Sequence, residues 1–281
     1  MTSRTRSADS GQRRFLRRIL LEAAERLGVT PVGPVVFGWR DRTIGSAAHA
    51  KGGRFWLRTT AEHDDWAGGE AWFGNRDAAA IIGVPKPALI DRVEWAEPPV
   101  VIYGELLTYV PDQPCSLTPE LAAPVALPAA WWSELRGALD VLAATPTMRG
   151  DHDPRDAVRR VEEFYGQSID TPTPVLRTEH TDLHWANLTQ PQLHILDWEY
   201  WGTAPAGYGA AVLYLHSLPI PDLAARVHET FADLLDTPTG RLAQLSAAAH
   251  ILDRATGGDY PTLSGPVRAY AADLLQPAKR R

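Results

Sequence analysis

The chain has 281 residues, 44% of them hydrophobic, and a net charge of −6. That is enough apolar material for one large core or two joined ones, which excludes wholesale disorder, and the acidic balance excludes the broad basic surface of a nucleic-acid binder. The single Cys115 excludes an intramolecular disulfide and a cysteine-rich zinc module. No apolar run is long enough to span a bilayer and residues 1–11 are polar, so the expectation is a cytoplasmic protein with no membrane or nucleic-acid partner.

Residues 1–11 are predicted to fray. Phe15, Ile19, Leu20, Ala23, Ala24 and Leu27 then recur at helical spacing, and Gly28 stops the helix. Arg13, Arg14, Arg17 and Arg18 surround that stripe; such a helix either touches a membrane surface or packs on its own domain. Strands are predicted over residues 35–39, 47–50 and 54–58, with a turn through 43–46 and another at 51–53. In the first turn the backbone of Gly45 and Ser46 can approach phosphates, although an ordinary hairpin reads the same way.

Residues 66–82 read as a helix, and 88–90 and 100–107 as two more strands. Residues 111–119 are linker-like, and Thr118-Pro119-Glu120 is a helix-start signal. Helices are predicted over 131–142, 154–165 with Asp153 as cap, 210–218, 222–235, 241–252 and 266–275. Lysine is confined to Lys51, Lys86 and Lys279, so any functional lysine is one of three.

The densest chemistry lies between His180 and Glu199. Asp182, Asn187 five residues later and Asp197 ten beyond that fall on a loop between two short apolar strands and just past the second. All three offer oxygen, which suits a hard divalent cation such as magnesium. Magnesium uses one or two protein oxygens, so Asn187 and Asp197 can bind it while Asp182 stays free to take a proton. Each residue alone is also ordinary turn chemistry. A third reading puts zinc or iron on His180, Asp182 and His184, with His194 or Asp197 completing the set, as in a transition-metal hydrolase.

His180-Thr181-Asp182-Leu183-His184-Trp185-Ala186-Asn187, followed by Leu196-Asp197-Trp198-Glu199, resembles the catalytic loop and metal-binding strand end of the aminoglycoside phosphotransferases and related small-molecule kinases. The resemblance implies an α+β, bilobal protein-kinase-like fold. It divides the chain into an N-terminal helix at 1–28, an N-lobe with an antiparallel sheet and one helix at 29–110, and a mostly helical C-lobe at 111–281. It also implies phosphoryl transfer from ATP or GTP to a hydroxyl, with Asp182 as base and Asn187 and Asp197 holding Mg²⁺. The acceptor implied is small and cationic, an aminoglycoside or a basic cyclic peptide of the viomycin and capreomycin kind, with antibiotic resistance as the outcome. Glu199, Glu229, Asp233 and Asp253 are the carboxylates expected to meet it.

By the same resemblance, Gly45, Ser46, Arg58 and Glu70 belong to the nucleotide site, and Glu105 and Leu107 fall at the hinge, where backbone groups bind the base. Three positions depart from the family's pattern. Thr181 replaces a glycine, Arg58 stands where a lysine pairs with an acid on the next helix, here Glu70, and Gly209 stands where an Asp buttresses the catalytic loop. The last two keep open a catalytically impaired nucleotide-binding protein on the same fold.

Overall fold

The structure, a computed structural model, describes residues 11–276; the polar stretch before Gly11 and Lys279 lie outside them. The described residues divide into two compact units. One holds the residues up to Ala79 together with Pro87–Pro111, and the other holds Ala80–Lys86 and the residues from Asp112 onward.

In the first unit, α1 (Gly11–Arg26) buries the stripe Leu16, Ile19, Leu20, Ala23 and Ala24. Its partner is a five-stranded antiparallel sheet of β1 (Thr30–Phe37), β2 (Thr43–Ala50), β3 (Gly53–His63), β4 (Leu89–Glu97) and β5 (Val100–Thr108), in the order β1-β2-β3-β5-β4. The apolar stripe meets Ile44, Ala48, Leu57, Ile102 and Leu106, so this helix packs on its own domain. Its amphipathic face is thereby occupied by core rather than by a membrane surface.

Strand alternation then assigns the opposite face. If Leu57 points to α1, its neighbours Trp56 and Arg58 point away; on β5, Ile102 and Leu106 point to α1 while Tyr103 and Glu105 point away. That second face is covered by the single turn Glu70–Phe73 and α2 (Gly74–Ala78), with the Trp72 and Tyr103 rings 5.5 Å apart. The helix predicted over 66–82 is thus reduced to these short pieces. Gly68 at φ +92 and the following Gly69 interrupt it, since glycine is a poor helix former.

The turn predicted through 43–46 is also displaced. The β1–β2 connection is Gly38–Arg42, with Arg40 and Asp41 at φ 51 and 56, and Arg13 holds Asp41 at 2.9 Å. Gly45 and Ser46 instead lie inside β2, paired with Arg58 and Leu57. Gly45 is needed there for packing: a Cβ would lie 2.6 Å from the Trp56 ring.

The second unit is mostly helical: α3 (Ala129–Ala144), α4 (Pro154–Tyr165), α5 (Tyr208–Ser217), α6 (Pro221–Leu235), α7 (Pro238–Thr256) and α8 (Ser264–Leu275). Asp153 caps α4 by accepting from the Arg155 amide. The Thr118–Glu120 signal starts no helix: the Thr118 hydroxyl donates to the Glu120 carbonyl at 2.7 Å, and the Glu120 carboxylate accepts from the amides of Thr262 and Leu263. Two short ladders complete the unit, β6 (Gln113–Pro114) with β8 (Thr189–Gln190) and β7 (Leu176–His180) with β9 (Trp201–Pro205). Among the described residues, no helix is long and apolar enough to cross a membrane.

Candidate active site

The stretch from His180 to Trp201 leaves β7, forms a loop, turns through a bridge between Leu188 and Ile195, and returns as β9 to pair with β7. Both ends are therefore fixed by one ladder, in which His180 faces Trp201. Trp131, Trp132 and Trp185 pack against one another beneath the loop. Trp185 is fully buried, stacks on Trp131 at 6.4 Å and donates to Ser217 Oγ at 3.0 Å. Thr181 takes the family's glycine position at negative φ, and its amide and hydroxyl both donate to the Tyr200 carbonyl at 3.1 Å.

Asn187 links the polar residues. Its Nδ2 donates to the Asp182 carbonyl at 2.9 Å and lies 3.5 Å from Asp182 Oδ2, which leaves Oδ1 as a ligand oxygen without a hydrogen bond among the described residues. The Leu196 amide donates to the Asn187 carbonyl at 2.8 Å and carries the chain directly to Asp197. Asp197 is exposed at φ 57, a conformation costly for a non-glycine residue and characteristic of sites where the surroundings enforce it. Its carboxylate makes no hydrogen bond or ion pair among the described residues. An all-oxygen pair with open lone pairs fits magnesium.

Burial opposes charge on Asp182, but the surrounding imidazoles, His184 foremost with Nε2 at 3.5 Å from Oδ2 and then His180 and His216, together outweigh it and hold the carboxyl below the usual carboxylate range. Asp182 is thus ionised at neutral pH. Burial pushes His216 down to about 3 and lowers His180 as well, so both imidazoles are neutral there. His180 Nε2 donates to the Leu196 carbonyl at 3.0 Å.

The transition-metal reading needs three ligand side chains drawn together. Among the described residues, the one group of three His, Cys, Asp or Glu side chains with ligand atoms within 4.8 Å of one another is His63, Asp64 and Asp65, on the other unit's surface. His180, Asp182 and His184 do not converge in that way; His180 serves as a neutral strut from the end of β7 to the loop at Leu196.

A cavity of about 380 Å³ opens beside Thr181 within the second unit. Asp151, Asp253, Ser246 and Tyr208 line it, with Phe164 as an apolar wall. Arg160 is hydrogen-bonded to Asp151, whereas the Asp253 carboxylate makes no hydrogen bond or ion pair among the described residues and acts by charge alone on His250. Of the carboxylates expected to meet the acceptor, Asp253 is the one in this cavity. Glu199 is buried, with Arg149 on its carbonyl; Asp233 is clamped by Arg136 at 2.6 and 2.8 Å; Glu229 pairs with Arg226 on an exposed helix face. Asp233 and Glu229 are therefore held in ion pairs, and Glu199 is buried outside this cavity's lining.

In the first unit, Arg58 Nη1 donates to Glu105 Oε2 at 2.9 Å, and Asn75 Nδ2 donates to the same oxygen at 2.9 Å. The acid facing Arg58 across the ladder is Glu105 on β5; Glu70, the partner expected from the sequence, heads the single turn that covers the same face of the sheet. Glu105 and Leu107 do not offer hinge backbone groups, because each is paired on both sides, to β3 and to β4. Gly45 and Ser46 likewise form no phosphate loop: Ser46 is fully buried and its hydroxyl donates to the Ala47 carbonyl at 3.0 Å. Of the lysines, Lys51 is an exposed turn residue, and Lys86 lies half-buried 5.9 Å from the Trp198 ring with its pKa lowered by burial.

Sequence reasoning missed Glu179. It is buried, and its Oε1 and Oε2 accept from the amides of Gly207 and Gly209 at 2.7 and 3.0 Å. Burial outweighs those two bonds and raises its pKa to about 7. A glutamate in the middle of a short buried strand was the available signal, because acids are almost never fully buried without partners.

No protein-family model matches the sequence, and no curated protein matches it. Solved structures do match. Aminoglycoside phosphotransferase APH(4)-Ia, in a ternary complex with ADP and hygromycin B, superposes with a TM-score of 0.61 at 15% identity over 90% of this chain and 98% of that one. The GDP complex of aminoglycoside 2'-phosphotransferase-IIIa gives 0.56 at 11% identity over 94% and 98%. An ethanolamine kinase from Plasmodium vivax gives 0.50 at 11% identity over 96% and 90%. With a five-stranded antiparallel sheet in one unit and the helices and the Asp182 loop in the other, this chain has the bilobal, protein-kinase-like α+β fold that aminoglycoside phosphotransferases share with other small-molecule kinases.

Proposed function

We propose that the chain is an ATP- and magnesium-dependent phosphotransferase acting on a hydroxyl of a small cationic molecule, an aminoglycoside or a basic cyclic peptide. The observation that carries this reading is the Asp182–Asn187 bond: the Asn187 amide fixes the Asp182 backbone carbonyl at 2.9 Å, with the carboxylate at 3.5 Å, and keeps its own oxygen open, while the Asp197 carboxylate is without a hydrogen bond or ion pair among the described residues. Asn187 and Asp197 would hold magnesium, which supplies charge neutralisation on the transferring phosphate. Asp182 orients the acceptor hydroxyl and takes its proton on the carboxylate oxygen not turned toward His184 and Asn187. Arg58, permanently charged and seated on Glu105, contributes the phosphate contact that a lysine makes elsewhere in the family.

The cavity beside Thr181 is the acceptor's place in this reading, and Asp253 is its carboxylate for a substrate ammonium. Similar solved structures hold ADP, AMP-PNP or GDP, which supports a purine nucleotide as donor. A second reading, a nucleotide-binding protein without transfer activity, is favoured by the strand conformation of Gly45 and Ser46.

The test is mass spectrometry of hygromycin B, capreomycin and viomycin after incubation with the protein, MgATP or MgGTP. A gain of one phosphoryl group on at least one of them, lost in Asp182→Asn, is the expected result. Nucleotide binding with every acceptor unmodified and no ADP or GDP released would establish the second reading instead.

A further inference from the structure

The N-terminus of α5 has no cap of its own. Its N-cap residue is Gly207 at φ 86, which offers no side chain, and helix starts need an acceptor for their first amides. Glu179 supplies it from β7, taking the amides of Gly207 and Gly209 with one oxygen each. A threonine or aspartate at Gly207 would be strained at φ 86, with its Cβ 3.2 Å from that of Leu234, so the cap comes from outside the helix, and placing it on β7 allows a gain beyond capping.

The neighbours of that contact provide one. An added Cβ at Gly209 would meet the His180 carbonyl oxygen at 3.1 Å, Glu179 Oε2 at 3.3 Å and Leu183 Cδ2 at 3.5 Å. The first turn of α5 therefore lies directly on the residues flanking Asp182. The far end of the same helix holds the other side of the loop: Ser217 receives the Trp185 indole N–H at 3.0 Å, and the His216 ring lies 5.5 Å from that of His184. One helix, buried except at Tyr208 and Tyr214, thus touches the loop before and after Asp182, and the Glu179 carboxylate ties its first turn to β7.

We infer that Glu179 is a positioning residue for phosphoryl transfer, locking α5 to β7 so that the Asp182 carboxylate is held where the acceptor hydroxyl reacts. The inference rests on Asp182 being the base. Displacement of a reacting group by about 1 Å costs about 100-fold in rate, so a small slip of α5 is enough to matter.

The experiment is steady-state ADP release from MgATP, with hygromycin B, capreomycin or viomycin as acceptor and with water alone. Rates are expressed per nucleotide-binding site measured by ADP titration, which corrects for any unfolded fraction. Glu179→Gln keeps the side chain's shape but has one acceptor oxygen for two amides. It is expected to lower kcat about 10- to 100-fold with KM for ATP and Kd for ADP within about twofold of wild type. Glu179→Asp, which keeps the charge with a shorter reach, should recover part of the loss.

Gly209→Ala disturbs the same contact from the helix side without touching the carboxylate and decides the question if Glu179→Gln does not fold. It should also lower kcat at constant KM, and the double variant should lose less than the product of the two. Asp182→Asn separates the two claims. If Asp182→Asn abolishes transfer while Glu179→Gln and Gly209→Ala keep wild-type kcat per site and lose only thermal stability, Glu179 is a structural cap and the inference fails alone. If Asp182→Asn retains the wild-type rate, or if the wild type releases no ADP under any condition, both fail.

Discussion

Glu179→Gln should change how stability depends on pH, and the sign follows from burial. A glutamate carboxyl ordinarily titrates near 4.5, and burial raises that of Glu179 to about 7. The folded state therefore keeps a proton that the unfolded state has already lost between these values. Stability is full below the unfolded pKa, falls as pH rises from about 4.5 to about 7, and is level above that. The pKa difference corresponds to about 3 kcal/mol, undiscounted because the side chain is buried. Gln does not titrate, so the stability of wild type relative to Glu179→Gln should decline by about that amount across the window. Urea unfolding followed by circular dichroism, at intervals from pH 4.5 to 8, measures it, since the helices that dominate the signal lie mostly in the unit that holds Glu179. A difference constant to within about 0.5 kcal/mol over that range would refute the reasoning about burial.

Four further outcomes are expected. Asp182→Asn should lower turnover by about 10²–10⁴ while ADP binding, followed by calorimetry, persists, because the metal-ligand oxygens are untouched. Asp197→Asn should raise the magnesium concentration for half-maximal rate, and an unchanged magnesium curve would remove it from the ligand set. Arg58→Ala leaves the buried Glu105 without its ion-pair partner and should cost about 3 kcal/mol of stability as well as activity, whereas Arg58→Lys should keep part of both; thermal unfolding alongside ADP release reads the two. Asp253→Asn should raise KM for a cationic acceptor about tenfold with KM for ATP unchanged, and equal KM values would place the acceptor elsewhere.

Much of the architecture is legible in the chain because it depends on local periodicity. The stripe from Phe15 to Leu27 predicts α1, and Pro154 behind Asp153 predicts the start of α4, because side-chain spacing and cap chemistry are properties of a few consecutive residues. The spacing of Asp182, Asn187 and Asp197 is equally local, and the hairpin that unites them is a short one. What the sequence misplaces lies where neighbours in space overrule neighbours in chain. Gly45 reads as a turn glycine until the Trp56 ring is seen to occupy the place of its Cβ, and Thr118–Glu120 reads as a helix start until the Glu120 carboxylate is seen at residues 262 and 263. Arg58 meets Glu105 because antiparallel register sets those two residues opposite each other on the sheet's second face, a pairing no spacing along the chain encodes. Glu179 is the extreme case: its partners are amides some thirty residues away, and backbone N–H groups are present at every residue but proline. Only the tertiary structure, by burying one strand against the start of one helix, selects which amides meet that carboxylate and gives it a place behind Asp182.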